Sequence, residues 1–327
     1  MQEKKHGLSK REIVIVTIML VLLITVVSSI FLLFIHPLPI LFSLKAAIID
    51  QLGAELPNPA FVNNATITLE AYGFNVTYYN ETIDVDFFKE LAKRNYGVVI
   101  LRAHSALRDD SSTVDLFTSE PYVSSAHSDE QDNGLVVKGT LYYTRTPQGY
   151  FAVTSKFIEN LEGTFPKSIV IAMGCWGMKP GLEQTLAGAF VRKGATAFLG
   201  WTNLVGYSHS DDETSKLLTN LFVHNKTLDE AVGGTEQDIW YYGSQMRYYP
   251  SEAGSLRISD LVAEANANTT SKLQLATSPY DLMQTLTATD CQPKVFKTEL
   301  DKADSLDVSL VSKRSGSTGC GGHRLKD

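Results

Sequence analysis

Two apolar runs in this chain end on residues able to do chemistry together. Val98-Val99-Ile100-Leu101-Arg102-Ala103 stops at His104, and Ser168-Ile169-Val170-Ile171-Ala172-Met173-Gly174 stops at Cys175. An imidazole beside a thiol can take its proton, and the thiolate can then attack a carbonyl carbon. Each residue also has a plain structural reading. A lone Cys at a strand end is commonly a small buried hydrophobe, and a lone His commonly a hydrogen-bonded one. What sets this pair apart is that both stand in the same local context.

That context is a strand covered on both faces. Both runs are short, largely β-branched and uninterrupted, which is how the inner strands of a parallel sheet read. Their carboxyl ends are where open α/β sheets build their sites. Around them, Lys45 to Leu52 reads as a strand, and Asn58 followed by Pro59 opens a helix that Gly73 ends. Phe74 to Tyr79 follows as a strand and Thr82 to Asn95 as an amphipathic helix. This β-α-β-α-β order predicts right-handed parallel crossovers.

Between Leu107 and Thr164 the alternation fails. Gly134 to Tyr143 and Gly149 to Thr154 read as a short hairpin or an extended insertion among polar loops. Asp129, Glu130 and Asp132 are of the type that binds calcium, although a solvated acidic loop accounts for them better. Alternation returns after Phe165, with a helix carrying Leu182, Leu186 and Phe190, a strand from Ala195 to Trp201, and helices over Asp212 to His224 and Thr227 to Gly233. Leu256 to Ile258 is expected as a last strand. The aromatic stretch Trp240 to Tyr249 is expected to pack under the sheet or to rim a cleft.

The 327 residues carry a formal charge of −7, which leaves no basic face for phosphates and excludes nucleic acid as the main partner. Ile13 to Ile35 holds no charged residue; as a helix it would rise about 34 Å, enough for a hydrocarbon core of roughly 30 Å. Lys4, Lys5, Lys10 and Arg11 precede it, so the expected placement is a single-pass anchor in the cell membrane, with a cytoplasmic N-terminus at 1–12 and the remainder extracytoplasmic. Sequons at Asn64, Asn75, Asn80, Asn225 and Asn268 agree with an exported, glycosylated chain. Of the three cysteines, Cys291 and Cys320 are the natural disulfide pair by position, which leaves Cys175 as the free thiol. The alternatives are unpaired thiols, or half of a metal site at Cys320-Gly321-Gly322-His323 that lacks a second half. No cofactor is required. The expected organisation is an anchor at 13–35, an α/β domain at 45–262 and an appendage at 263–327.

With both motifs on strands, the segment from about Lys45 to Asp260 resembles the caspase-like cysteine peptidases of the gingipain, clostripain and CHAT type. The likeness lies in a His after one apolar strand, a Cys after the next, and the small-residue segment Gly181 to Ala195 that follows. It implies a three-layer α/β sandwich with a mostly parallel central sheet, a His104/Cys175 dyad that hydrolyses a protein or peptide substrate through a thioester, and an oxyanion hole from the amides of Ser105 and Cys175. It also implies an acid for a basic residue before the scissile bond, for which Asp211 and Asp212 are the candidates; an acidic N-cap and first turn of the next helix accounts for them better. Two positions depart from the family pattern. Ser105 stands where Gly is usual after the His, and Gly174 where Ala or Ser is common before the Cys. The alternative functions are a catalytically inactive module that keeps the fold for binding and an anchored solute receptor with two hinged lobes.

Overall fold

In the computed structural model the described residues are 10–35, 41–141 and 148–275. The chain divides into two units, Met1–Leu275 and Ala276–Asp327, and everything described lies in the first. Cys291, Cys320 and the expected disulfide therefore fall outside the described residues.

The strands and helices alternate as the local sequence dictates. Following α1 (Lys10–Ile35), β1 (Lys45–Asp50) leads to α2 (Pro59–Tyr72), where the Asn58 side chain accepts from the Phe61 amide at 3.1 Å and Pro59 opens the first turn. Gly73 ends α2 at φ 113°, a left-handed conformation that costs a glycine nothing. Next come β2 (Asn75–Tyr79), α3 (Val85–Leu91) and β3 (Val98–Arg102), then β4 (Ser105–Leu107), β5 (Val114–Pro121), α4 (Ser128–Asp132), β6 (Val136–Leu141) and β7 (Gln148–Val153). The chain continues through α5 (Ser155–Asn160), β8 (Ile169–Ala172), α6 (Leu186–Arg192), β9 (Ala197–Trp201), α7 (Tyr207–Leu218), α8 (Leu228–Gly233), β10 (Met246–Tyr249) and α9 (Ile258–Leu275).

Among the described residues these strands form two sheets. Sheet A has the order β10-β9-β8-β3-β1-β2, with β10 antiparallel to β9 and the other neighbours parallel. Sheet B has the order β4-β5-β7-β6 and is antiparallel throughout. Successive residues of the inner strands of sheet A serve opposite cores. Ile49, Val99, Leu101, Val170 and Phe198 pack on one face with Phe88, Phe157 and Phe190 from α3, α5 and α6 and with Val114, Leu116, Phe151 and Val153 from sheet B. Ile48, Ile100, Ile171, Leu199 and Trp201 pack on the other with Leu69, Leu217 and Ala231 from α2, α7 and α8. Each such side chain contributes about 1.5–3 kcal/mol when fully buried, so β3, β8 and β9 are fixed in place from both sides.

Three expectations are corrected here. The fold is α/β, but its main sheet is mixed, and the expected hairpin, present as β6 and β7, belongs to a second, four-stranded antiparallel sheet; an antiparallel strand at the edge of an otherwise parallel sheet is a common arrangement. Among the described residues no helix is long and apolar enough to cross a membrane, so the anchor at 13–35, and the single-pass cell-membrane localisation that rested on it, are withdrawn. A crossing needs about 20 predominantly apolar residues. Finally, the expected strand at Leu256–Ile258 is instead the lead into α9, which runs on to Leu275, and the edge strand is the aromatic β10.

Candidate active site

His104 and Cys175 leave neighbouring strands at the same level. β3 and β8 pair in parallel with Leu101 opposite Ala172, and the Met173 amide extends the pairing to the Leu101 carbonyl at 2.9 Å. The chain then leaves sheet A at both points. Past Ala103 it crosses into β4 of sheet B, so His104 occupies the junction of the two sheets.

The two turns brace each other. A β-carbon added at Gly174 would stand 2.4 Å from the Ala103 carbonyl oxygen, 2.4 Å from Ser105 Oγ and 2.9 Å from the Ser105 amide nitrogen, distances that no side chain tolerates. The Ser105 hydroxyl donates to the Cys175 carbonyl at 2.6 Å. A side chain after the His and the lack of one before the Cys are therefore complementary. Ser105 and Gly174 thus form one contact seen from its two ends.

Each functional group has its own surroundings. The His104 amide donates to Gln51 Oε1 at 2.9 Å, and its imidazole Nε2 lies 3.9 Å from Glu55 Oε2, with the Phe117 ring edge-on at 6.2 Å between centroids. Burial holds the His104 pKa below its ordinary value against the opposing pull of Glu55, and nearby Arg102 adds to the depression. Cys175 is a free, partly buried thiol whose Sγ lies 3.9 Å from the Val205 carbonyl oxygen. Burial pushes its pKa up, while hydrogen bonds with the backbone at Val205 and Cys175 oppose the rise. Both shifts favour the uncharged forms, the imidazole and the thiol.

Trp176, next to the thiol, sits at φ 59°, a left-handed conformation costly for a bulky residue by about 1–3 kcal/mol. It is held there by two bonds to Asn203, from its amide to the Asn203 carbonyl at 2.9 Å and from its indole to Asn203 Oδ1 at 2.9 Å.

Beneath His104 lies a buried ion cluster. Arg102, 1% exposed, donates to Asp50 Oδ1 at 2.7 Å, to Asp211 Oδ1 at 2.8 Å and Oδ2 at 2.9 Å, and to the Leu56 carbonyl at 2.8 Å. The last bond fixes the loop that carries Glu55. Asp50 also accepts from the Tyr78 hydroxyl, whose own pKa is pushed up to about 12 by burial and by this carboxylate.

The remaining sequence candidates are distributed more widely. Asp211 is buried, spent on Arg102 and on Asn58 Nδ2 at 2.9 Å, and Asp212 is exposed on α7; that helix begins at Tyr207, so neither residue is its N-cap. Glu130 pairs with Lys89 at 2.6 Å, and the described residues contain no group of three or more His, Cys, Asp or Glu arranged to hold a metal ion. Asn64, Asn75, Asn80 and Asn225 are exposed, and the Asn268 side chain lies outside the described residues. Glu55, Gln51, Trp176 and Asn203 were not singled out from sequence, since each acts through a contact distant in the chain. Arg102 carried a legible signal. A charge ending an otherwise apolar buried strand demands a partner, and Asp50 ends β1 directly opposite it. No family model matches this chain, and no curated protein matches it.

Proposed function

We propose that the protein is a cysteine peptidase of caspase-like type that cleaves a protein or peptide substrate with His104 and Cys175. The observation that carries the proposal is the Ser105–Cys175 contact at 2.6 Å across adjoining strand ends, which keeps the His104 and Cys175 turns together. The resemblance read from the sequence supports the same assignment.

In the proposed reaction Cys175 Sγ attacks the substrate carbonyl carbon as the thiol proton passes to the His104 imidazole. The carbonyl oxygen takes the negative charge and is stabilised by the amides of Ser105 and Cys175. The C–N bond then breaks, His104 returns its proton to the departing amine, and a thioester remains on Cys175. Water, deprotonated by His104, attacks the thioester, releasing the acid and restoring the thiol. Glu55, 3.9 Å from His104 Nε2, offsets the positive charge that the ring acquires in both halves.

The second reading is a binding module without turnover. It is favoured by the burial that raises the Cys175 pKa, a trait of inert thiols. The experiment that separates the two is hydrolysis of a peptide library by the full chain, with Cys175→Ala and His104→Ala as controls. Cleavage abolished by both substitutions supports the peptidase. Cleavage that survives Cys175→Ala, or none in the unaltered chain under any condition while the thiol is reduced, rejects it.

A further inference from the structure

Large apolar side chains stand in solvent where the chain returns beside the Cys175 turn. Ile239 is 68% exposed, Trp240 86%, Tyr241 41% and Tyr242 82%, and Tyr207 at the start of α7 is 53% exposed. Single exposed hydrophobic residues are ordinary, whereas a contiguous group marks a contact surface.

This loop is held firmly. Buried Asp238 accepts from the Gly206 amide at 2.8 Å and from the Trp240 amide at 3.1 Å, and its own amide donates to the Ser244 carbonyl at 2.8 Å. The Ser244 hydroxyl, fully buried, accepts from the Asn203 amide at 3.0 Å. Asn203 is the residue that holds Trp176, and Val205, two residues on, carries the carbonyl beside Cys175 Sγ. The Tyr241 ring covers Gly206, where an added β-carbon would come within 3.2 Å of it. From Sγ to the aromatic loop the path thus runs through Val205 and Gly206 alone.

The carboxylates of the same segment are already engaged. Asp211 is spent on Arg102, Asp238 on backbone amides, and Glu213 and Glu236 both on Lys216. A basic side chain arriving here meets rings in place of a waiting acid, with exposed Asp212 as the exception.

We propose that Tyr207 and Ile239–Tyr242 form the rim that receives an apolar or aromatic side chain of the polypeptide bound at Cys175, so that the substrate class is apolar rather than basic. The attack by Cys175 rests on the peptidase reading; recognition by the rim does not.

The test uses the full chain carrying Cys175→Ala, titrated by fluorescence anisotropy with two labelled octapeptides, one rich in Phe and Leu and one in Lys and Arg. The apolar peptide is expected to bind at least tenfold more tightly, and adding Trp240→Ala or Tyr242→Ala weakens it by about tenfold, as exposed aromatic anchors do. Asp212→Asn leaves that affinity unchanged. Equal or reversed preference, or rim substitutions without effect, overturns the proposal. Labelling of the unaltered chain by apolar peptidyl electrophiles, run in parallel, separates the two readings. Rim-dependent binding without labelling of Cys175 retains the rim and rejects the peptidase; labelling at equal rates in the rim variants does the reverse.

Discussion

The turn carrying His104 is anchored by buried charge, whereas the turn carrying Cys175 is anchored by neutral hydrogen bonds and a strained backbone. Arg102 and its two carboxylates lie inside the protein directly before His104, and the same guanidinium grips the loop of Glu55. Cys175 is instead set by Ser105, Asn203 and the left-handed Trp176. Breaking a buried ion pair leaves an uncompensated charge and endangers the whole fold. Breaking a neutral bond at a turn moves a few atoms. A single substitution on the His104 side therefore endangers more of the fold than one on the Cys175 side.

Substitutions on the two sides should differ in kind. Arg102→Met leaves Asp50 and Asp211 buried without their partner and is expected to cost about 3–5 kcal/mol in chemical denaturation. Adding Asp50→Asn and Asp211→Asn recovers most of it; if it recovers nothing, the charge account of this side fails.

Gly174→Ala is expected to cost about 1–3 kcal/mol, because the added methyl overlaps the Ala103 carbonyl and Ser105 Oγ. The double variant Gly174→Ala with Ser105→Gly removes one of those two clashes along with the Ser105–Cys175 bond, so in thermal denaturation its loss should be smaller than the sum of the two single losses. Strictly additive losses would contradict the bracing contact. Ser105→Ala alone deletes one neutral bond, worth about 1 kcal/mol. It should slow acylation of Cys175 far more visibly than it lowers the melting temperature.

The smallest effect concerns pH. Since the His104 pKa is lowered, the imidazole stays neutral, and able to accept the thiol proton, to below its ordinary 6.5. Peptidase activity should hold as pH falls through that value and decline only beneath it. Glu55 pulls the pKa upward, so Glu55→Gln should shift this acid limb to still lower pH, read from kcat/KM against pH. The folded state also resists protonation of His104 in this range, so its contribution to stability is present above 6.5 and is lost as pH falls toward the lowered value.

Much of what places the site could be read from strands alone. Val98–Arg102 and Ile169–Ala172 announce themselves because burial on both faces demands unbroken apolar runs, and their ends name His104 and Cys175. Sheet B was less legible. In β5, Val114 and Leu116 face the main core while Phe117 turns to a small satellite core with Leu141 and Ala152, so its partners lie far along the chain and its polar loops mask the pattern. The membrane span was expected from charge and length across 13–35, and the described helix did not meet the requirement. Asp211 shows the same limit at a single residue. The resemblance implied a specificity pocket for it, whereas the structure pairs it with Arg102.

The central claim is that His104 and Cys175 act as one unit. Its most direct test is the rate at which a peptidyl acyloxymethyl ketone modifies Cys175, followed by intact mass in the parent chain and in His104→Ala at pH 7. A fall of about 10²-fold or more in His104→Ala, with the slow alkylation by iodoacetamide at the same pH little changed, is the result expected of a general base serving this thiol. Equal rates of peptidyl labelling in the two proteins would contradict it.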